Sequence, residues 1–539
     1  MFQVVKTTIV KHLRHNCAMS TVPRFYPSFD PYTYSQGRWF DRNHEQQEAR
    51  RWRFDFASLL DLAVDCSPGA RRVLGCEKKE GGFNRVFMIR LDNGKTVVAR
   101  LPNRIAGPPG LTVASEVATL RFVQERTKVP VPRVLAWSST IDNVVGAEYM
   151  IMDAMPGVLL KDVWNTMTAS QHIRCIQSLG YLTKELCSLD FPHYGSLYLN
   201  ADRPKGAIIL NDTYCIGPLC ARQHWGYGIP KPSNVETPVR DRGPWKDVDA
   251  YLMGFIAQAD TSMSCETKVA SKCVPRSAES DHQLLNVIRQ TLALLFESQV
   301  VKDAASPTLF HPDFHTRNIL VDPEDPTMIT GILDWQSAAI EPAFVFAAET
   351  PDFAEELPQD ECLNNNRATV KDGQSGEARL QADVQFCVST WAVILQICPK
   401  FRDASALDPS ILNFLAAGSA GWVQNTFYMR SILAELGRKW EELGLPDKSV
   451  YQPGGNELEQ LRHLTDEMQS TRRLREHLSR LLGCDTDGWV PMDRWDQTLA
   501  RYLEEYNRFI ASCVEDRFEA EDKATAIAKA NKLWPFDQR

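Results

Sequence analysis

The sequence lacks the features that mark several protein classes. Its formal net charge of −8 gives no basic excess of the kind that nucleic-acid-binding proteins usually carry. No run approaches the roughly 18 apolar residues of a transmembrane helix, and the most apolar stretch, residues 388–398, is interrupted by Ser389, Thr390 and Gln396. The 14 cysteines form no C-x-x-C pair, so reduced thiols are expected. We therefore expect no nucleic-acid partner and no transmembrane segment, while protein partners stay open.

Acidic residues are absent before Asp30. The same stretch carries basic residues at Lys6, Lys11, Arg14 and Arg24. Apolar residues between positions 2 and 13 can share one helical face, which is typical of a mitochondrial transit peptide. We predict that residues 1–35 are a transit peptide and linker and that the protein is mitochondrial. The alternative is a disordered basic tail on a cytoplasmic protein.

The remaining composition is that of an ordinary globular protein, with 44% hydrophobic and 24% charged residues. A chain of 539 residues is too long for one small domain and suits two lobes with additions.

A polar cluster beginning at His311 carries the clearest chemical signal. Asp313 and Asn318 are separated by four residues. This is the spacing of the phosphotransferase catalytic loop, in which the aspartate accepts the substrate proton and the asparagine holds magnesium. His315 and Arg317, between them, are predicted either to face phosphates or to satisfy buried carbonyls.

A β-hairpin is predicted directly after this cluster. Residues 319–321 and 328–333 are short apolar runs, separated by a turn rich in Pro and Asp. Pairing the two runs brings Asn318 and Asp334 roughly opposite each other, beside Asp313. Two hard oxygen ligands next to a base suit magnesium-dependent phosphoryl transfer.

This stretch resembles the catalytic loop and metal-binding segment of the aminoglycoside phosphotransferase family, which shares the protein-kinase fold. The resemblance implies an α+β, two-lobed kinase-like architecture. The first lobe, residues 36–153, would hold a five-stranded antiparallel sheet, a helix and an N-terminal helical extension. The second, residues 154–539, would be large and mainly helical, with the catalytic loop and a C-terminal helical region. It also implies ATP and Mg2+ as cofactors and a small-molecule hydroxyl acceptor.

The local patterns of the first lobe fit that expectation. Strand-like runs cover residues 72–80, 85–91, 96–101, 129–137 and 148–153. Asp92-Asn93-Gly94 joins the second and third runs and is a strong hairpin signal. Most of residues 38–64 has helical spacing and is predicted to be helix.

The nucleotide side of the site is predicted in this lobe. Gly81 and Gly82 let backbone amides approach a phosphate. By resemblance, Arg100 takes the place of the usual lysine of the third strand, and Glu116 is the glutamate that pairs with it. Arginine also binds phosphate but is bulkier and rigidly forked.

Further pieces resemble a fungal branch of the family, the altered-inheritance-of-mitochondria proteins. They include Gly37-Arg38-Trp39, Gly107-Pro108-Pro109 and Leu333-Asp334-Trp335-Gln336. This resemblance also implies a mitochondrial location.

The sequence thus predicts an ATP- and Mg2+-dependent phosphotransferase acting on an alcohol group. Two alternatives stay open. Arg100 is compatible with a catalytically impaired nucleotide-binding or scaffold protein. His311, Asp313 and His315 lie on one face of an extended chain and suggest a zinc cluster, although zinc leaves Asn318 and Asp334 unexplained.

Overall fold

The computed structural model describes residues 25–225, 241–266, 278–355, 373–419, 426–515 and 523–536. The basic segment, residues 1–24, and with it most of the predicted transit peptide, lies outside the described residues. Among the described residues no single helix is long and apolar enough to cross a membrane. The helices Ala382–Ile397 and Pro399–Ser405, which are bent by 112° relative to each other, reach that length and apolarity only when they are counted together.

An N-terminal extension precedes the first lobe. It contains β1 (Gly37–Trp39), α1 (Asn43–Ala49) and α2 (Phe56–Asp65). The prediction of helix over most of residues 38–64 is confirmed by α1 and α2, while β1 and residues 50–55 are not helical. Local spacing does not reveal that β1 pairs antiparallel with Trp489–Pro491. Asp55 begins α2, because its side chain accepts a hydrogen bond from the Ser58 backbone N–H at 2.9 Å.

The first lobe is built on a five-stranded antiparallel sheet with spatial order β2-β3-β4-β6-β5. Its strands are β2 (Val73–Glu80), β3 (Asn84–Leu91), β4 (Thr96–Pro102), β5 (Val134–Ser138) and β6 (Tyr149–Asp153), with α3 (Thr112–Arg126) between β4 and β5. The predicted α+β class, with its five-stranded sheet and helix, is confirmed.

Side chains of β4 alternate between the two faces of the sheet. Val97, Ala99 and Leu101 lie in a buried cluster with α2. Because successive side chains of a strand point to opposite faces, Arg100 lies on the other face, toward α3. On α2, Phe56, Leu59, Leu60 and Ala63 fill the cluster at helical spacing, and each large side chain contributes about 1.5–3 kcal/mol.

The second lobe is mainly helical, with short strands near the catalytic loop. Its strands are β7 (Val158–Leu159), β8 (Ser196–Leu199), β9 (Ile208–Ile209), β10 (Tyr214–Gly217), β11 (Pro307–Phe310), β12 (Ile319–Val321), β13 (Ile329–Ile332) and β14 (Ala339–Pro342). Its helices as far as β14 are α4 (Leu160–Val163), α5 (Ala169–Cys187), α6 (Val248–Glu266), α7 (Ala278–Leu295) and α8 (Gln299–Ala304).

Helices follow β14 to the end of the described chain. They are α9 (Ala343–Ala347), α10 (Gly373–Ile397), α11 (Pro399–Ser405), α12 (Pro409–Ser419), α13 (Thr426–Lys439), α14 (Gly455–Leu482), α15 (Trp495–Glu515) and α16 (Lys523–Leu533), with β15 (Trp489–Pro491) before α15. Pro399 and Pro409 are each the first residue of a helix. A proline is tolerated there because the backbone N–H that it lacks would have no acceptor within the helix.

The extension and the C-terminal helices share a hydrophobic cluster. Phe40, which follows β1, packs with Trp495, Tyr502 and Phe536. The residues from α14 onward, which we call the C-terminal module (residues 455–536), are therefore joined to the extension through both a core and a strand pair. The predicted domain boundaries at residues 35 and 153 stay predictions.

Glu341 of β14 provides a test of the second lobe's core. The Tyr251 hydroxyl donates a hydrogen bond to its carboxylate at 2.9 Å, and burial raises the pKa of Glu341 to about 7. The folded state therefore binds this proton more tightly than the unfolded state, and the resulting stabilisation is lost as the pH rises through about 7. We predict that Glu341→Gln flattens the decline in melting temperature between about pH 5 and pH 8.

Glu324→Gln, in the exposed turn between β12 and β13, is the control and should keep the wild-type pH dependence. An unchanged slope in Glu341→Gln would show that this carboxyl does not titrate as proposed.

Candidate active site

The predicted catalytic loop follows β11, which ends at Phe310, and is held by His311. This side chain is 2% exposed. Its Nε2 lies 2.7 Å from the Leu333 carbonyl oxygen, and its Nδ1 accepts the Asp313 backbone N–H at 3.1 Å. Burial lowers the pKa of His311, which favours the neutral ring that one donor and one acceptor require. His311 therefore fixes the loop against the strand that leads to Asp334.

Asp313 lies at the centre of a polar cluster. The Asn318 amide donates to the Asp313 carbonyl oxygen at 2.8 Å and to its Oδ2 at 2.7 Å. Arg317 forms an ion pair with the same carboxylate through Nη2 and Nε, and His315 Nε2 lies 3.4 Å from Oδ1. His315 and Arg317 thus contact Asp313, rather than the buried carbonyls that were one of the two predicted roles.

Asp352, which the sequence did not indicate, fixes the next part of the loop. Its carboxylate accepts hydrogen bonds from the Thr316 backbone N–H at 2.9 Å and from the Thr316 hydroxyl at 2.6 Å. Its own backbone N–H donates to His315 Nδ1 at 3.1 Å. The loop is therefore tied to a segment 36 residues further along the chain.

The predicted hairpin brings Asn318 and Asp334 together. Strands β12 and β13 pair antiparallel, and the Leu333 N–H donates to the Asn318 carbonyl at 2.8 Å. Asp334 has a left-handed φ of 64°, a conformation that non-glycine residues adopt rarely and often at functional sites. Its side chain is 46% exposed, so this carboxylate is open to a ligand.

The nucleotide-side residues meet at the same point. Arg100 is 7% exposed and Glu116 is 5% exposed. Arg100 Nη1 forms an ion pair with Glu116, and Nη2 lies 2.5 Å from Asp334 Oδ1. Burial opposes the charge on Arg100, but Asp334 and Glu116 outweigh it and raise the pKa of the guanidinium. One arginine therefore joins both lobes at the predicted metal ligand.

Gln336 completes this contact, and sequence reasoning missed its role. Its Oε1 accepts hydrogen bonds from Arg100 Nη2 and from the Asn84 amide, both at 2.6 Å. Its Nε2 donates to the Ala106 carbonyl at 3.1 Å. The only sequence signal is its place two residues after Asp334. Gln336 of the second lobe thus forms hydrogen bonds with three residues of the first lobe.

Gly81 and Gly82 form the tip between β2 and β3. A Cβ built at either position meets no atom within 4 Å, so no steric demand of the described fold requires these glycines. The space over the tip is open to a ligand, which fits a phosphate-covering loop.

The donor set near Asp334 suits magnesium better than zinc. Amide and carboxylate oxygens, as in Asn318 and Asp334, are the ligands of hard cations. Both ring nitrogens of His311 already have backbone partners, so it is not free to bind zinc. Among the described residues no group of three or more His, Cys, Asp or Glu side chains is arranged to hold a metal ion.

Comparison with known proteins places these elements in a family. Residues 79–345 match the model of the Phosphotransferase enzyme family. This segment of the chain belongs to that family. It contains every predicted site residue, from Gly81 to Asp334. The extension with β1 and α1, and the C-terminal module, lie outside it.

Relatives of the phosphotransferase segment occur in fungi. The chain is 33% identical over 302 residues to the Subtelomeric hrmA-associated cluster protein of Aspergillus fumigatus, covering 50% of this chain and 58% of that one. It is 25% identical over 362 residues to Altered inheritance of mitochondria protein 9, mitochondrial, of Yarrowia lipolytica, covering 60% of each. The chain thus spans less than two thirds of these relatives' lengths. The predicted resemblance to both the family and its fungal branch is confirmed.

A solved structure aligned with the chain is a putative aminoglycoside phosphotransferase from Ralstonia eutropha. It is 15% identical and covers 76% of this chain and 95% of that one, with a TM-score of 0.38.

The contact between Asn84 and Gln336 can be measured by a double-mutant cycle. We predict that Asn84→Ala and Gln336→Ala each destabilise the protein and that their effects couple by about 0.5–1.5 kcal/mol, because either change alone removes the hydrogen bond between the two amides. Urea unfolding of the two single variants and the double variant gives the coupling energy.

Asn93→Ala combined with Gln336→Ala is the matched control. Asn93 lies in the exposed β3–β4 turn, where it donates to the Pro68 carbonyl, so its effect should add to that of Gln336→Ala. Additivity in the Asn84 pair as well would contradict a stabilising contact between Asn84 and Gln336.

Proposed function

We propose that the protein is an ATP- and Mg2+-dependent phosphotransferase that acts on a hydroxyl group of a small-molecule acceptor. The observation that carries this proposal is the meeting of Asp313, Asn318 and Asp334 at one edge of the hairpin. Arg100, held by Glu116, reaches the same edge from the other lobe.

Asp313 would act as the base or orient the acceptor hydroxyl. Its carboxylate is partly exposed, and its backbone is fixed through His311 and Asn318, so it is presented in a set position. Arg317, with a side chain 53% exposed, would share or release this carboxylate when the acceptor arrives.

Asn318 and Asp334 would hold Mg2+, which when bound would shield the negative charge of the transferring phosphoryl group. Arg100 would neutralise charge on the phosphates beside it. The loop at Gly81 and Gly82 would cover the phosphates with backbone amides.

The acceptor would bind at the exposed side of the Asp313 carboxylate, whose side chain is 36% exposed. A cavity also lies beside the loop, bordered by His311, His315, Glu349 and Trp391. Its volume of about 30 Å³ is room for about one water molecule and not for the acceptor. A screen of metabolites with ATP, read by mass spectrometry, would identify the acceptor.

We also propose a mitochondrial location. The relatives named as mitochondrial and the basic, acid-free start of the chain support it. Protection of the protein from added protease in isolated mitochondria would test it; full digestion would favour the cytoplasmic alternative.

Replacement of Asp313 tests the proposed chemistry. We predict that Asp313→Asn lowers phosphoryl transfer by about 10²–10⁴-fold, because loss of a positioned acid–base group costs about this factor. Nucleotide binding, followed by a thermal shift with Mg-ATP, should survive. Asp303→Asn, at an exposed carboxylate of α8 that accepts from Gln299, is the control and should keep the wild-type rate. Wild-type turnover by Asp313→Asn would refute the assignment.

A scaffold function is the second candidate, and one contact favours it. Arg100 Nη2 lies 2.5 Å from Asp334 Oδ1, where it competes with a cation for that oxygen. A thermal shift with Mg-ATP without any ATP consumption, with candidate acceptors present, would support the scaffold. Any turnover that depends on Asp313 would reject it.

A further inference from the structure

Arg50 of the N-terminal extension contacts the tip of the glycine loop. Its Nε donates to the Gly82 carbonyl at 3.0 Å. The neighbouring backbone is fixed as well, since the Gly81 N–H donates to the Asn84 carbonyl at 2.9 Å and the Asn103 N–H to the Phe83 carbonyl at 2.7 Å. Arg50 is thus the side chain that fixes the orientation of the Gly82 peptide.

Arg50 itself is held firmly. It is 4% exposed. Its Nη1 donates to the Gln46 backbone and side-chain oxygens at 2.8 and 2.7 Å. Its guanidinium lies 4.4 Å from the centre of the Trp39 ring, a favourable cation–π geometry. A buried cation costs free energy unless its surroundings compensate for lost water, so this setting constrains Arg50 to one position.

Trp39 is in turn fixed by the C-terminal module. Its indole Nε1 donates to Asp487 Oδ2 at 3.0 Å, and β1 pairs with β15 along its whole length. The Phe40 N–H donates to the Gly488 carbonyl at 3.0 Å. A continuous series of contacts therefore runs from the C-terminal module through Trp39 and Arg50 to Gly82.

The same part of the C-terminal module also approaches the catalytic lobe. Burial raises the pKa of the Asp485 carboxyl, and the nearby cations Arg317 and Lys161 oppose that rise. Arg317 is the residue paired with Asp313. Asp485 thus lies close enough to Arg317 and Lys161 to feel their charge.

We propose that Arg50 is a positioning residue for the phosphate-covering loop and that the C-terminal module, through Asp487 and Trp39, sets its position. The proposal deepens the proposed function and rests on it, because it assigns to Gly81 and Gly82 the role of covering nucleotide phosphates. Gly82 lies inside the phosphotransferase segment, residues 79–345, whereas Arg50, Trp39 and Asp487 lie outside it.

The chemical effect follows from the planar peptide. In a trans peptide the carbonyl and the next N–H point in opposite directions. When Arg50 holds the Gly82 carbonyl, the Phe83 N–H is directed away from Arg50. An amide fixed in advance in this way loses less conformational entropy when it binds a phosphate.

Hydrogen exchange of the loop tests the proposal without any ligand. In Arg50→Ala, we expect amides of residues 80–84 to exchange about tenfold faster than in the wild type, because one hydrogen bond is lost. Mg-ATP affinity should fall by about three- to tenfold through the lost preorganisation. Arg51→Ala is the matched control, since Arg51 is exposed and pairs only with Glu48 among the contacts described; it should leave both values unchanged.

Asp487→Asn tests the distant end of the connection. Asp487 is exposed, so the variant should fold. Its single amide oxygen cannot accept both N–H groups that the carboxylate accepts, from the Trp39 indole and from the Trp489 backbone. We expect faster exchange in residues 80–84, in the same direction as Arg50→Ala. Asp493→Asn, an exposed carboxylate of the same module, is the control and should match the wild type.

Each outcome bears on the proposal. Faster loop exchange in both Arg50→Ala and Asp487→Asn supports it, and wild-type exchange in either variant overturns it. Failure of the wild-type protein to bind Mg-ATP would instead refute the proposed function, and the exchange result would still report on the connection.

Discussion

The ion pairs of Arg100 are the interaction on which the rest of the site depends. One buried guanidinium joins Glu116 of the first lobe to Asp334 of the second. Glu116 is the buried partner, and removing one partner of a buried pair typically costs about 3–5 kcal/mol, because it leaves an uncompensated charge. Asp334 is also the proposed magnesium ligand, so the contact that joins the two lobes also affects the charge at the proposed metal site.

The shape of arginine explains its presence in place of a lysine. Nη1 reaches Glu116, while Nη2 reaches both Asp334 and Gln336. A planar fork with fixed donors can hold these oxygens at once, whereas a lysine ammonium is a single point charge. Arg100 therefore has a structural role as a clamp in addition to any contact with phosphate, and the clamp extends to Asn84 through Gln336.

Local patterns were sufficient for much of the fold. Asp92-Asn93-Gly94 and the turn after Val321 each join strands where turn chemistry favours a turn, and Pro399 opens a helix, where proline is common. Alternation along β4 also places Arg100 on the face opposite the α2 cluster. The spacing from Asp313 to Asn318 predicted that these two side chains meet in the loop after β11, because the geometry of this loop is set by a few adjacent residues.

Contacts between distant segments were not predictable in this way. No local sequence pattern indicates that β1 pairs with β15. The same holds for the hydrogen bond from Trp39 to Asp487, which is 448 residues away. Gln336 and Arg50 are ordinary polar residues in the sequence, and only the fold brings them to Arg100 and Gly82. These distant contacts join the family segment to the extension and the C-terminal module.

The central claim is that Asp334 serves the metal site while it is paired with Arg100. The most direct measurement is the binding of Mn2+, as a spectroscopic substitute for Mg2+, followed by electron paramagnetic resonance in the presence of a non-hydrolysable ATP analogue. The account predicts that the wild-type protein binds the Mn2+–nucleotide complex and that Asp334→Asn retains the nucleotide but loses the tightly bound Mn2+. Equal Mn2+ affinity in the two proteins would contradict it.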